Sequence, residues 1–432
     1  MHEVGVLSQG AWLIAAGLKA TMVFVVTLLA VALFTLLERR IAAWIQDRHG
    51  PNRVGPGGIL QPIADGIKNI LKEETYPAAA SKFFFVAAPM IAIIPAFMTM
   101  AVVPFAAPLP TPWGLVDMIV ADLPIGILYI LALTGLGVYG IVMAGWSSNN
   151  KYALLGGLRG SAQMVSYEVG MGLSLIPVFM LMGNVTLTHV VWTQQEGIGL
   201  WLALPLSVSF VVFVISAFAE TNRLPFDMPE AESELVAGFH TEYSSMKFAM
   251  FFMAEYANMT TASALMATLF LGGWDIPFFT FDNMRVVAPG VVEGAQPALW
   301  KTLLTLLAFS LKTLFFVFIF MWVRWTVPRF RYDQVMHLGW KIQLPVALAY
   351  IAVVGATILV LDTMGVPYGM GFGLVLTAVS LVCLAIMLWL LDRDRIMSGS
   401  SLDHHRRLVR PRAIEGRPAV AETVGKEEVA WR

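Results

Sequence analysis

The fifteen residues Glu220-Thr221-Asn222-Arg223-Leu224-Pro225-Phe226-Asp227-Met228-Pro229-Glu230-Ala231-Glu232-Ser233-Glu234 set one arginine among five carboxylates. Apolar runs flank them at 200–219 and 247–271, the second interrupted only by Glu255 and a few polar groups. Each run is long enough to cross a bilayer, so the charged strip reads as a loop between membrane helices. A solvated acidic loop accounts for the charges. It does not account for Pro225 and Pro229, which fix the backbone around an Asp-x-x-Glu step. That step predicts that Asp227 accepts from the amide of Glu230 and starts a short helix. Glu230 and Glu234 then stand four residues apart and repel, unless a cation, water or a ligand offsets them.

Working outward, the whole chain is 58% hydrophobic and 13% charged, where soluble domains carry about 25% charged residues. Nine runs can span: 11–37, 83–103, 123–146, 162–182, 200–219, 247–271, 302–323, 344–361 and 370–391. The fold class expected is an all-α polytopic membrane protein with about nine transmembrane helices over residues 1–391. Residues 392–432 carry nine Lys/Arg against seven Asp/Glu and few large apolar groups, which predicts a disordered cytoplasmic tail. The N-terminus has no basic segment before its apolar run, so that run is expected to stay as the first helix. A net charge of −1 gives no footprint for nucleic acid. Cys383 is the only cysteine, and an iron–sulfur cluster needs four ligands, so any redox centre belongs to a partner.

Lys and Arg set the orientation. Of 28, 24 fall in the loops after runs one, three, five and seven and in the tail; only Arg285 and Lys301 fall on the other side. This predicts an outer N-terminus, a cytoplasmic C-terminus and a cytoplasmic acidic loop. Lys19 and Lys312 lie inside runs, and Lys312 is left as either a proton-path cation or a structural one. The loop after run three, 147–160, is short and glycine-rich. In the loop after run one, Ile63, Ile67, Ile70 and Leu71 recur at helical spacing opposite Asp65, Lys68 and Lys72. That pattern predicts an amphipathic helix over 62–74, lying on the membrane surface. Glu168 and Glu255 sit about two turns inside runs four and six, and Glu220 ends run five. Three carboxylates thus enter the membrane from one side, where charge is costly and usually lines a polar interior. The plainer reading is that each pairs with a neighbour.

Three stretches carry a family likeness: ETNRLPFDMPEAESELVAGFHTEYS at 220–244, GPNRVGPGG at 50–58 with its flanks, and RWTVPRFRYDQ from Arg324 on. Together they resemble the NuoH family, the quinone-chamber membrane subunit of the NADH:quinone oxidoreductase that is respiratory complex I, over roughly residues 10–392. The resemblance implies a quinone chamber lined by Glu38, Arg39, Arg48, Asp65 and Lys68 from the first loop. The acidic loop would add Asp227, Glu230, Glu232 and Glu234, and the third stretch Arg324 and Arg329. It implies a proton relay of Glu168, Glu220, Arg223 and Glu255, with no catalytic or metal residue in this chain. Quinone would be the substrate. FMN and iron–sulfur clusters would reside in partners: cytoplasmic iron–sulfur and quinone-site subunits beside membrane antiporter-like ones. A multi-pass subunit of the cell membrane is implied. Two alternatives stay open, the membrane subunit of a proton-translocating hydrogenase and a stand-alone proton-coupled transporter. The tail at 392–432 departs from the family pattern.

Overall fold

A computed structural model describes residues 2–3, 8–277, 279–288 and 291–393. The chain divides into Met1–Leu384 and Ala385–Arg432. The site and its cavities belong to the first unit, and the tail expected at 392–432 lies outside the described residues past Arg393.

The chain is helical, as its composition requires. Helix α1 spans Gln9–Ile45, with Ser8 Oγ accepting from the Ala11 amide at its start. Hydropathy alone ends this span at residue 37 and leaves Glu38, Arg39 and Arg40 in a loop. Nothing between 38 and 45 breaks a helix, and Ile41, Ala42 and Ala43 pack inside, so the helix continues and carries Glu38 into the interior. Surface helix α2 (Gln61–Leu71) follows, with no buried residue and with Ile63, Ile67, Ile70 and Leu71 exposed. Then come α3 (Lys82–Met98), α4 (Gly126–Ser147), α5 (Lys151–Met182) and the short α6 (Leu187–Trp192). They lead to α7 (Ser207–Glu220), the one-turn α8 (Glu232–Leu235) and α9 (Ser245–Phe270). The chain closes with α10 (Leu299–Thr326), α11 (Tyr332–His337), α12 (Leu344–Thr363) and α13 (Met370–Arg393). Small antiparallel ladders complete the fold: β2 (Leu109–Thr111) with β3 (Gly114–Val116), and β1 (His2–Glu3) with β5 (Val291–Gly294) beside β4 (Met284–Ala288).

Among the described residues, seven helices are long and apolar enough to cross a membrane. The other two expected spans differ. Run six forms α9, 26 residues long with Lys247 and Glu255 in it. Run five forms only the 14 residues of α7, about 21 Å at 1.5 Å per residue. Pro205 stands just before its start, and residues 202–206 are a turn, since a proline denies the preceding residue the helical region.

The glycine-rich stretch 147–160, expected as a loop, is helical from Lys151, with Asn150 Oδ1 accepting from the Tyr152 amide at 2.9 Å. Its glycines serve close packing. A Cβ on Gly145 would lie 2.5 Å from the carbonyl oxygen of Ala153, and one on Gly156 would lie 2.7 Å from the amide of Phe239. The backbones of α4 and α5 can approach so closely only because side chains are missing there.

Lys312 is held by backbone carbonyls. Its ammonium donates to the carbonyls of Leu271, Gly273 and Asp275 at 2.6, 3.0 and 2.6 Å. All three donors are thereby used on the turn that follows α9, close to the helix C-terminus, whose dipole favours a cation.

Candidate functional site

The acidic segment does not hang in solvent. Gln163 on α5 donates through Nε2 to the carbonyls of Ala219 and Phe226, both at 2.7 Å, pinning the first half of the segment to one side chain. Phe330 donates its amide to Pro225, 3.1 Å away, and so joins the third stretch to it. The expected helix start at Asp227 does not occur. The short helix begins at Glu232 with no side-chain cap, and Glu230 stays outside it, so Glu230 and Glu234 are not helical neighbours. The Asp227 carboxylate is instead bound by Arg329, whose Nη2 donates to Oδ2 at 2.7 Å, and its Oδ1 accepts from no amide.

Arg223 is the centre of the site, with only 1% of its surface exposed. Its Nη1 donates to Glu38 Oε2 at 2.7 Å, and its Nε lies 2.5 Å from Glu255 Oε1 as an ion pair without hydrogen-bond alignment. The guanidinium stacks over the Tyr256 ring at 4.2 Å, while the Tyr256 hydroxyl donates to Glu38 at 2.6 Å. Arg324, on the last turn of α10, donates to the other Glu38 oxygen. Thus α1, α9, α10 and the acidic segment meet at one buried network. Breaking such a pair on one side costs about 3–5 kcal/mol, since it strands the partner's charge.

Three arginines (Arg223, Arg324 and Arg329) face five carboxyls in this region. Glu38, Glu255 and Asp227 hold the arginines. Glu220 and Glu230 have none within salt-bridge distance, and neither Glu220 oxygen has any hydrogen-bond partner. Burial pushes the Glu230 carboxyl well above its ordinary range, Glu255 and Asp227 adding to the push against Arg324 and Arg223. Burial likewise raises Asp227 to about 6, with Arg329 pulling against it.

Glu220, Glu230 and Glu255 line a single cavity of about 50 Å³, closed by Met164, Phe239 and Asn258 among others. Behind Glu220 and Asn258 lies a second void of about 20 Å³ toward Thr134 and Thr261. Both are water-sized, far below the several hundred Å³ of a small-molecule site. Glu220 and Asn258 line both voids, and the Asn258 Oδ1 is also unpartnered. Buried waters occupy such places, making two to four hydrogen bonds to otherwise unsatisfied groups.

The remaining sequence candidates sit apart. Glu168 is half-buried against Gly135 of α4 and outside both cavity linings. Arg39 pairs with Asp65 at 2.7 Å, and Lys68 lies 3.6 Å from the same carboxylate on the exposed α2 face. Burial raises Asp65, but Arg39, Gln61 and Lys68 outweigh it and hold the carboxyl low. Arg48 is exposed beside Gln46, and Glu232 is exposed. Glu234 pairs with Arg159 at 2.5 Å near the surface. Sequence reasoning passes over Tyr256, Asn258, Gln163 and Arg159, single polar residues without a spacing signal. It sets aside His240 as a loop histidine, and the structure buries it beside Glu230.

The comparisons agree with this architecture. A sequence family described as NADH dehydrogenase matches residues 18–355. The chain is 50% identical over 337 residues to the first NADH-quinone oxidoreductase H subunit of Geobacter metallireducens, covering 78% of this chain and 94% of that protein. It is 49% identical over 345 residues to the NADH-quinone oxidoreductase H subunit of Leptospira biflexa, covering 78% and 92%. The second such protein of Koribacter versatilis shares 48% over 358 residues, covering 80% and 97%. With a matched family over most of its length and relatives at half identity, this chain belongs to the family of NADH-quinone oxidoreductase H subunits.

Proposed function

We propose that the chain is the membrane subunit of a proton-pumping NADH:quinone oxidoreductase, where it forms the membrane side of the quinone chamber and passes the charge change of quinone reduction into the bilayer. The observation that carries this reading is the cavity shared by Glu220, Glu230 and Glu255 directly behind the acidic segment. That cavity is too small for a quinone ring, so the head group sits outside it. Its place is against the charged face built by Arg39, Asp65, Asp227, Arg324 and Arg329, completed by a cytoplasmic partner. The lipid-like tail enters from the bilayer past the exposed isoleucines of α2. FMN and iron–sulfur clusters belong to the partners, because one cysteine cannot ligate a cluster.

Two electrons arriving at a quinone leave negative charge that protons must neutralise. A negative charge nearby raises the proton affinity of a buried carboxyl, so one poised near its titration point takes up a proton when the charge forms and gives it up once the charge is neutralised. Asp227 belongs to the charged face and Glu230 links it to the cavity shared with Glu220, so proton uptake on the acidic segment while the charge persists, and release through Glu220 once it is neutralised, carries the change toward the membrane interior. Arg223 keeps Glu38 and Glu255 in register with that movement.

Replacing Glu220 by Gln tests the reading. The complex is expected to assemble and to reduce quinone, while proton translocation per electron in sealed vesicles falls several-fold. Unchanged translocation removes Glu220 from the path.

A further inference from the structure

His240 lies outside the network described above, yet the fold holds it against Glu230 with little freedom. The Phe239 amide donates to the Pro229 carbonyl at 3.2 Å, closing a loop between the acidic segment and the turn over Gly238–His240. Gly238 adopts φ +56°, and a Cβ there would stand 1.7 Å from the Pro229 carbonyl oxygen, so these two backbones are in direct contact. The contact sets the imidazole beside the neighbouring carboxyl: His240 Nδ1 is 3.6 Å from Glu230 Oε1. Rotation of a carboxyl about its last torsion is soft and closes such a gap to a hydrogen bond. Around the ring, Phe239, Phe248 and Phe252 stand edge-on at 5.1, 5.2 and 6.3 Å.

We propose that His240 is the positioning residue for the proton on Glu230, its neutral imidazole accepting through Nδ1 from the carboxylic acid and turning the other carboxyl oxygen to the cavity. This inference rests on the reading of the cavity as a proton path and names the group that keeps one member of it loaded. The aromatic cage suits a neutral ring, and burial lowers the His240 imidazole to about 4. Glu230 is the one carboxylate within 4 Å of the ring among the described residues. The other charges acting on Glu230 come from Glu255 on α9, Asp227 and Arg223 on the acidic segment, and Arg324 on α10. A neutral acceptor favours the protonated acid over the carboxylate. Without Nδ1, Glu230 gives up its proton at lower pH.

The experiment measures quinone-coupled proton translocation against pH in the intact complex, with His240→Phe, His240→Asn and His240→Gln. Phenylalanine keeps the aromatic packing and removes the acceptor. Asparagine places an amide oxygen close to the Nδ1 position, and glutamine carries it a bond too far. The alkaline limb of the profile is expected to move down by about one pH unit in H240F and H240Q, a tenfold change in the protonated fraction of Glu230. In H240N it returns to its original place. In a Glu230→Gln background all three changes are expected to leave the profile alone. A limb that stays put in H240F, that moves equally in H240N and H240F, or that still moves in the E230Q background overturns the proposal. If E230Q by itself changes neither translocation nor the profile, the proton-path reading fails as well. If E230Q acts and H240F does not, only the role of His240 is lost.

Discussion

At the scale of single residues, the site is decided by which carboxyls have a cation and which do not. Arg223 satisfies two of them at once, and Arg223→Ala is expected to cost about 3–5 kcal/mol by leaving Glu38 and Glu255 buried and unpaired. The complex then fails to accumulate in membranes, as immunoblotting of the assembled form will report. Asp227 gives a pH signature. Its folded carboxyl titrates near 6, while an unfolded aspartate titrates near ~3.9, so the folded chain holds the extra proton between those values. The site's contribution to stability is therefore full below about pH 4 and lost as pH rises through about 6. Thermal unfolding of the solubilised complex across that interval should show the decline in the natural chain and a flatter curve in Asp227→Asn. The sequence announces the ionisable members of this network by their cost, since charge inside apolar runs stands out. It cannot announce the pairing, because Glu38 and Arg223 are 185 positions apart. Tyr256 and Asn258 are invisible for a different reason: one polar side chain in an apolar helix usually bonds to its own backbone, as Thr260 does to Tyr256.

At the scale of elements, apolar length locates the helices well, and glycine and proline mislead at two boundaries. Pro205 shortens α7 where hydropathy alone runs on. The glycines from 147 to 160 read as a loop, though Gly157, with Gly145 of α4, marks where α4 and α5 touch backbone to backbone. Composition cannot separate those meanings; only the partner helix can. Gly145→Val, which drives a side chain into the Ala153 carbonyl, is expected to destabilise the subunit by about 1–3 kcal/mol or more. Gly172→Ala on α5, with nothing within 4 Å of the added carbon, should be silent in the same melting assay. Lys312→Met removes the three bonds that hold the turn after α9. Its expected effect is a lower melting temperature, with the protons moved per electron unchanged in whatever complex assembles.

At the scale of the whole molecule, the distribution of Lys and Arg between alternate loops predicts that the acidic segment faces the cytoplasm. Cysteines introduced at the exposed positions Glu73 and Pro112, with Cys383 replaced by Ser, test this directly. An impermeant thiol reagent should label the first only in inverted vesicles and the second only in right-side-out ones. The voids on either side of Glu220 bear on a different demand, the electrical tightness of the membrane. Spaces of about 50 and 20 Å³ admit a few water molecules and no sodium or potassium ion with its hydration shell. On the proposed reading, hydrogen-bond exchange crosses at Glu220, Thr221 and Asn258 while hydrated alkali ions are turned back, so such a route for protons would not short-circuit a gradient across the membrane.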